Sequence, residues 1–174
     1  PSKQKNTTRM RYSKTIAAAA LALIAFAGCK SQYEELLESS DVNAKYKAAF
    51  EYYNSGKYSK AVQLFESISL SVSGSAQDDT VQFYTALSNY HQRDFYTAEA
   101  NLKHFIDNYP ASPFIEDARF LRVDCLYRAT LRYELDQKPT YTASTAINEY
   151  KMTHLDSPNI AICNRMLEDL NERL

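Results

Sequence analysis

Glycine and proline are scarce in this chain, at 3 and 5 of 174 residues. An all-β sandwich or barrel needs a turn about every 8–12 residues, so this sequence cannot build one. Tryptophan is missing, and 14 Tyr with 8 Phe supply all the aromatic surface. No excess of positive charge exists: the formal net charge is −1, which argues against a nucleic-acid partner. No apolar run reaches the roughly 20 residues of a membrane-spanning helix. The three cysteines include no C-x-x-C pair, so neither a redox motif nor a zinc knuckle is supported. What remains is 45% hydrophobic and 24% charged, enough apolar surface for a buried core and too much for disorder.

Acidic residues are absent before Glu34, whereas Lys3, Lys5, Arg9, Arg11 and Lys14 precede it. Without residues 1–28 the balance is 15 cations against 21 anions, a net charge of −6. The front end and the body are therefore different materials. Arg11 and Lys14 lead into the 12 apolar residues Ile16–Ala27, a basic flank and a short apolar stretch of secretory-signal type. Met10 stands where such a signal would start, which makes residues 1–28 the expected signal peptide.

The run Phe26-Ala-Gly-Cys29 closes that stretch. It resembles a bacterial lipobox, with Phe26 where the pattern prefers Leu. The resemblance implies cleavage before Cys29 and a diacylglyceryl thioether on its sulfur, the side chain nucleophilic enough for that alkylation. The competing reading is a plain secretory signal with a chance cysteine. Two or three acyl chains hold a protein on a membrane for good, where one alone does not. Cys125 and Cys163 sit in apolar stretches and are expected as buried thiols, although an exported protein could pair them.

Residues 29–41 are polar and are expected to form a tether leading into a cap. From Val42 the periodicity is helical. Val42–Tyr53, a turn at Gly56 and Ser59–Ile68 form a helical hairpin with Ala49, Tyr52, Gly56, Tyr58, Ala61, Phe65 and Ile68 at tetratricopeptide places. Lys45 stands where that repeat prefers Trp. A second unit has helices Asp79–His91 and Thr97–Ile106, and Ala98 follows Ala61 at an offset of 37. Its end, Tyr109-Pro-Ala-Ser-Pro113, is echoed at an offset of 45 by His154-Leu-Asp-Ser-Pro158. Between the two ends a lengthened third unit is expected, with helices about Phe114–Tyr133 and Tyr141–Met152 and a loop Glu134–Thr140. The repeats thus span 42–75, 79–110 and 113–155, with a partial unit at 158–174. A lone repeat cannot bury its apolar face, so the last helix suggests a further half-repeat or a partner surface. The fold class is all-α, a tetratricopeptide-like solenoid of helical hairpins behind a lipoprotein signal.

The lipobox, the first unit Tyr46–Ile68, the run Phe105-Ile-Asp-Asn-Tyr-Pro-Ala-Ser-Pro-Phe-Ile-Glu-Asp-Ala118 and the lengthened third unit together resemble the BamD (ComL/YfiO) family of outer-membrane assembly lipoproteins. The resemblance implies a lipid-anchored, periplasm-facing outer-membrane protein. It implies partners too: a BamA-like β-barrel assembly subunit, other assembly lipoproteins and unfolded outer-membrane clients.

Catalytic signatures are missing: no G-x-S-x-G, no phosphate loop and no H-E-x-x-H occurs. His91, His104 and His154 lack ligand spacing. Asp78-Asp79 and Glu116-Asp117 fall at expected helix starts, where the helix dipole favours them. No enzyme, metal or cofactor is expected. A binding role falls instead to two aromatic stripes at 3- and 4-residue steps, Tyr46, Phe50, Tyr53 and Phe83, Leu87, Tyr90. They are the expected wall of a peptide-binding groove; packing between units is the competing role. Two classes of function follow. One is a scaffold subunit of the barrel-assembly machinery, and the other a general periplasmic adaptor for envelope or cell-wall proteins.

Overall fold

The structure is a computed structural model that describes residues 31–130 and 135–173. The expected signal peptide and Cys29 lie outside the described residues. Eight helices are described: α1 Gln32–Glu38, α2 Val42–Asn54, α3 Tyr58–Val72, α4 Asp78–His91, α5 Phe95–Asn108, α6 Ile115–Arg128, α7 Lys138–Thr153 and α8 Ile160–Glu172. No strand occurs among the described residues, and no helix there is long and apolar enough to cross a membrane.

The described residues 31–39 stand apart from the body as a unit of their own. The polar segment expected as a tether carries a helix there. Ser31 accepts from the Glu34 N–H at 3.3 Å while the Glu34 carboxylate accepts from the Ser31 N–H at 2.8 Å. That reciprocal pair satisfies two orphan donors and starts the turn.

The body begins at Ser40. Each helix from α2 to α8 packs chiefly on the next in sequence, the pattern of a tetratricopeptide-like solenoid. The small-residue places lie at the crossings: Ala49, Ala61 and Ala98 are fully buried, as are Phe65 and Ile68. Lys45, at the place that prefers Trp, is buried at 7% exposure. One core gathers Phe83, Ala98, Leu102, Phe105 and Cys125. A second gathers Val123, Ala143, Ile147, Tyr150, Cys163 and Leu170. Cys125 and Cys163 are free buried thiols. Burial pushes the Cys125 thiol up to about 12, with Asp124 adding to the shift, which leaves the thiol inert.

The first two hairpins turn in the same way. In the first, the Gly56 N–H donates to the Tyr53 carbonyl at 3.0 Å and Lys57 to Tyr52 at 2.9 Å. In the second, Arg93 donates to Tyr90 at 2.9 Å and Asp94 to Asn89 at 3.1 Å. Both are Schellman closures, and both need a left-handed residue. Gly56 supplies it at φ 72°, and Arg93, 37 residues later, supplies it at φ 64° against its own Cβ. Gly56→Ala is therefore expected to cost about 1 kcal/mol, and Arg93→Gly to stabilise by somewhat less. Urea melts of the two variants should move in opposite directions with the slope unchanged.

Helix ends depart most from the sequence expectation in the first and third units. Helix α3 runs on to Val72 rather than ending at Ile68, because Val72 lies one turn beyond Ile68 on the same buried face. In the third unit α6 stops at Arg128, not Tyr133, with its last turn closed by Ala129 and Thr130 N–H groups on Cys125 and Tyr127. Helix α7 begins at Lys138, inside the expected loop. Pro139 sits in its first turn, where a missing N–H costs nothing. Asp136 accepts from the Lys138 N–H at 2.9 Å, and buried Thr140 donates to Gln137 at 2.8 Å.

Candidate functional site

Helices α2, α4, α6 and α8 are the first helices of successive units, and the expected stripes lie on the first two. Tyr46, Phe50 and Tyr53 do share a face of α2. That face is turned onto the neighbouring helices. Phe50 meets Tyr46 at 5.0 Å, Phe65 of α3 at 5.1 Å and Tyr84 of α4 at 4.8 Å between ring centres. Tyr53 meets Tyr84 at 5.1 Å and Tyr58 at 5.5 Å. All are edge-on contacts, the geometry aromatic quadrupoles favour.

The partner of this stripe on α4 is Tyr84 with His91, not Phe83, Leu87 and Tyr90. Residues one position apart on a helix are separated by about 100°. His91 and most of the Tyr84 contacts therefore look back to the first unit, although Tyr84 also meets Phe114 edge-on at 6.0 Å, and the Phe83/Tyr90 face looks forward to the third. Phe83 is only 4% exposed. It stacks on Phe114 at 4.7 Å and packs on Phe105 at 5.6 Å. Leu87 packs half-buried against the same core. The two stripes are consequently not one continuous wall, and Phe83 is core. Tyr46, Phe50, Tyr53, Leu87 and Tyr90 are half-buried.

Tyr90 is held by groups that sequence reasoning missed. Its hydroxyl donates to the buried carboxylate of Asp124 on α6. Arg128, one turn on, donates to the same oxygen at 2.6 Å, and its guanidinium lies 5.7 Å over the Tyr90 ring. The arrangement recurs at the next joint. The Tyr127 hydroxyl donates to Asp169 of α8 at 2.6 Å. Arg173 bonds the same carboxylate, donates to Thr130 at 2.9 Å and lies 5.3 Å over the Tyr127 ring. Tyr127 follows Tyr90 by 37 residues; Asp169 and Arg173 follow Asp124 and Arg128 by 45. These are the two offsets already present in Ala61/Ala98 and in the repeated Ser-Pro ends, so comparing acidic and basic residues at those offsets would have found the clamp.

The first joint is built differently at the same places. Tyr53 precedes Tyr90 by 37, but His91 stands for the arginine and Leu87 for the aspartate. The Tyr53 hydroxyl pairs with His91 Nε2 at 3.2 Å, and the imidazole stacks on Tyr58 at 4.7 Å. Burial lowers the His91 pKa, and burial pushes the Tyr53 hydroxyl up to about 12, with Tyr84 adding to it. This joint is therefore neutral where the other two carry charge. His104 is exposed on α5. His154 bridges α7 to α6, 3.3 Å from both Glu116 and Arg119.

Among the described residues the arrangement presents no nucleophile, base and oxyanion donors around a shared point. A family model described as an outer membrane lipoprotein, YfiO, matches residues 38–174, which covers almost the whole helical body. Comparison with curated proteins gave no match. With its repeats, its aromatic joints and that match all covering the same residues, the chain belongs to the YfiO family of outer membrane lipoproteins.

Proposed function

We propose that this protein is a non-enzymatic scaffold subunit of the machinery that assembles β-barrel proteins in the outer membrane. It is anchored by lipid on Cys29 and carries its body on the periplasmic side. The observation that supports this most is the family match running through every repeat from α2 to α8. The clamps fit the role. Aromatic, ionic and small-residue contacts between successive units give a stiff body on which a barrel subunit and other assembly lipoproteins can dock. Unfolded clients would meet the half-exposed rings of Tyr46 and Tyr53, whose hydroxyls suit a wet surface, rather than Phe83.

The test is co-purification from detergent-solubilised membranes, read by mass spectrometry. A large β-barrel protein is expected at near-equal amount; peptidoglycan enzymes in its place would overturn the assignment. The anchor is tested separately. Cys29→Ser is expected to leave a folded body that moves wholly from the membrane to the soluble fraction, since no thioether can form. Wild-type protein with an unlipidated N-terminus at another residue would remove the anchor from the proposal.

A further inference from the structure

The third unit closes on His154, the residue that follows α7, whose side chain is 15% exposed. Its ring stacks on Tyr150 at 4.5 Å. Nδ1 lies 3.0 Å from the Tyr150 carbonyl oxygen and 2.7 Å from the Thr153 hydroxyl. The carbonyl only accepts, and the Thr153 hydroxyl already donates to the Glu149 carbonyl at 2.8 Å. Nδ1 therefore carries the hydrogen, and Nε2 is the atom that gains or loses a proton. Nε2 lies 3.3 Å from Arg119 Nη1 and 3.3 Å from Glu116 Oε2, both on α6. Arg119 Nη1 also donates to Glu116 Oε1 at 2.8 Å, which leaves its second hydrogen for Nε2. A neutral ring can accept that hydrogen but has nothing to offer Glu116. A protonated ring can donate to Glu116 but cannot accept from Arg119.

We propose that a proton-operated latch closes the third unit: His154 pairs with Arg119 when neutral and with Glu116 when protonated. The second unit carries the same latch in a form that does not titrate near neutrality. Phe105, Tyr109 and Ser112 precede Tyr150, His154 and Ser157 by 45 residues. Tyr109 stacks on Phe105 at 5.2 Å, and its hydroxyl donates to Asp78 in the first turn of α4. Burial, and then that hydrogen bond, push the Tyr109 hydroxyl up to about 12, so it keeps its hydrogen through the neutral range. At the same place in the third unit stands a histidine, the side chain whose charge ordinarily changes between about pH 5 and 8. Among the described residues no other charged group bonds the ring. Arg122 and Glu149 line the cavity of about 340 Å³ beside it, α5 contributes Ile106 there, and Asp156 is exposed in the loop to α8. Arg122 is already paired with Glu99 at 2.7 Å. The C-terminal end of α7 favours positive charge on His154. Arg119 is then the group that moves. Its side chain is 37% exposed and lines the same cavity, into which the guanidinium turns once Nε2 becomes a donor. The cavity is therefore more cationic in mild acid than in mild alkali. This exchange of partners lies within one unit and is independent of the assembly role.

The test follows the proton by NMR on the ¹⁵N-labelled full chain in detergent. Two-bond correlations between ring nitrogens and carbon-bound ring hydrogens report which nitrogen of each histidine is protonated, with His104, exposed on α5, as the reference ring. Between about pH 8 and about pH 5, His154 should keep its hydrogen on Nδ1 throughout and gain one on Nε2. The Arg119 guanidinium signals should shift with the same midpoint as the His154 ring. His154→Tyr copies Tyr109 and removes the titrating ring, so the Arg119 response should vanish from this window, which lies above the ordinary carboxylate range. Glu116→Ala leaves the ring and its Nδ1 bonds but removes the acceptor of the charged state. The Nε2 hydrogen, held in slow exchange in acid by the wild type, should then exchange too fast to be seen. A folding defect in one variant leaves the other decisive. A neutral ring with its hydrogen on Nε2, Arg119 signals that ignore the His154 midpoint, an Arg119 response surviving in folded His154→Tyr, or a slowly exchanging Nε2 hydrogen in folded Glu116→Ala would each overturn the proposal.

Discussion

Phe83→Ala is expected to destabilise the body by about 3–5 kcal/mol, the usual cost of emptying a buried aromatic site. The ring is 4% exposed, stacked flat on Phe114, which leads into α6, and tilted against Phe105 of α5. Truncation therefore opens a void where the second and third units meet. The clamp between Tyr90 and Asp124 ties α4 to α6 and resists the shift that would close it. A urea melt should show a large fall in midpoint, and a client peptide should lose binding only as unfolding sets in. Tyr46→Ala, which strips a half-exposed ring, should cost far less stability. Equal melting of Phe83→Ala and wild type would show that the ring faces an open surface after all.

Asp124→Ala should cost about 2–3 kcal/mol through the same joint. The Tyr90 hydroxyl loses its acceptor, and Arg128 loses the carboxylate that holds its guanidinium over Tyr90 and Phe95. Arg128 is 45% exposed along its side chain, so water recovers most of its share. The greater loss is the half-buried tyrosine. Asp124→Asn keeps an acceptor for that hydroxyl and should cost about half as much. The pair also leaves a mark in alkali. Burial, and then the hydrogen bond and charge of Asp124, push the Tyr90 hydroxyl up from 10 to about 12. A raised folded pKa means that the folded protein holds the proton more tightly. The stability linked to it is complete below pH 10 and is lost as pH climbs through about 12. Removing Asp124 should shrink that alkaline loss relative to wild type, because Tyr53 and Tyr109 remain in both proteins as a shared background. A wild-type alkaline profile in Asp124→Ala would show that burial alone shifts Tyr90.

The clamp shows why site residues were harder to find than helices. Asp124 lies in the apolar run Val123-Asp-Cys-Leu-Tyr127, where its character is hidden by its neighbours, and Asp169 sits in an acidic pair that suggests a solvated face. Asp78 likewise stands at a helix start, where the dipole explains a carboxylate without any burial. In each case the chemistry depends on a group 34 to 42 residues away or on the opposite loop, as Tyr90 to Asp124 and Tyr127 to Asp169 do.

By itself the sequence determined what is local. Helical periodicity, small residues at Ala49, Ala61 and Ala98, the left-handed place at Gly56 and the offset of 37 specify hairpins and their register, because a helix and its turn are closed by neighbours within a few residues. Tertiary structure alone decided which neighbour each face of a helix meets. Helix α4 carries rings at Phe83 and Tyr84, and at Tyr90 with His91, on two adjoining stripes, and periodicity marks both as apolar without ranking them. Packing resolves the choice: a helix between two units is buried from two sides, so His91 turns to the first unit, Phe83 and Tyr90 to the third, and Tyr84 spans the seam between them. The burial of the Asp124 and Asp78 carboxylates was decided there too, since only the folded chain brings up the tyrosine, the arginine and the opposite loop that surround them.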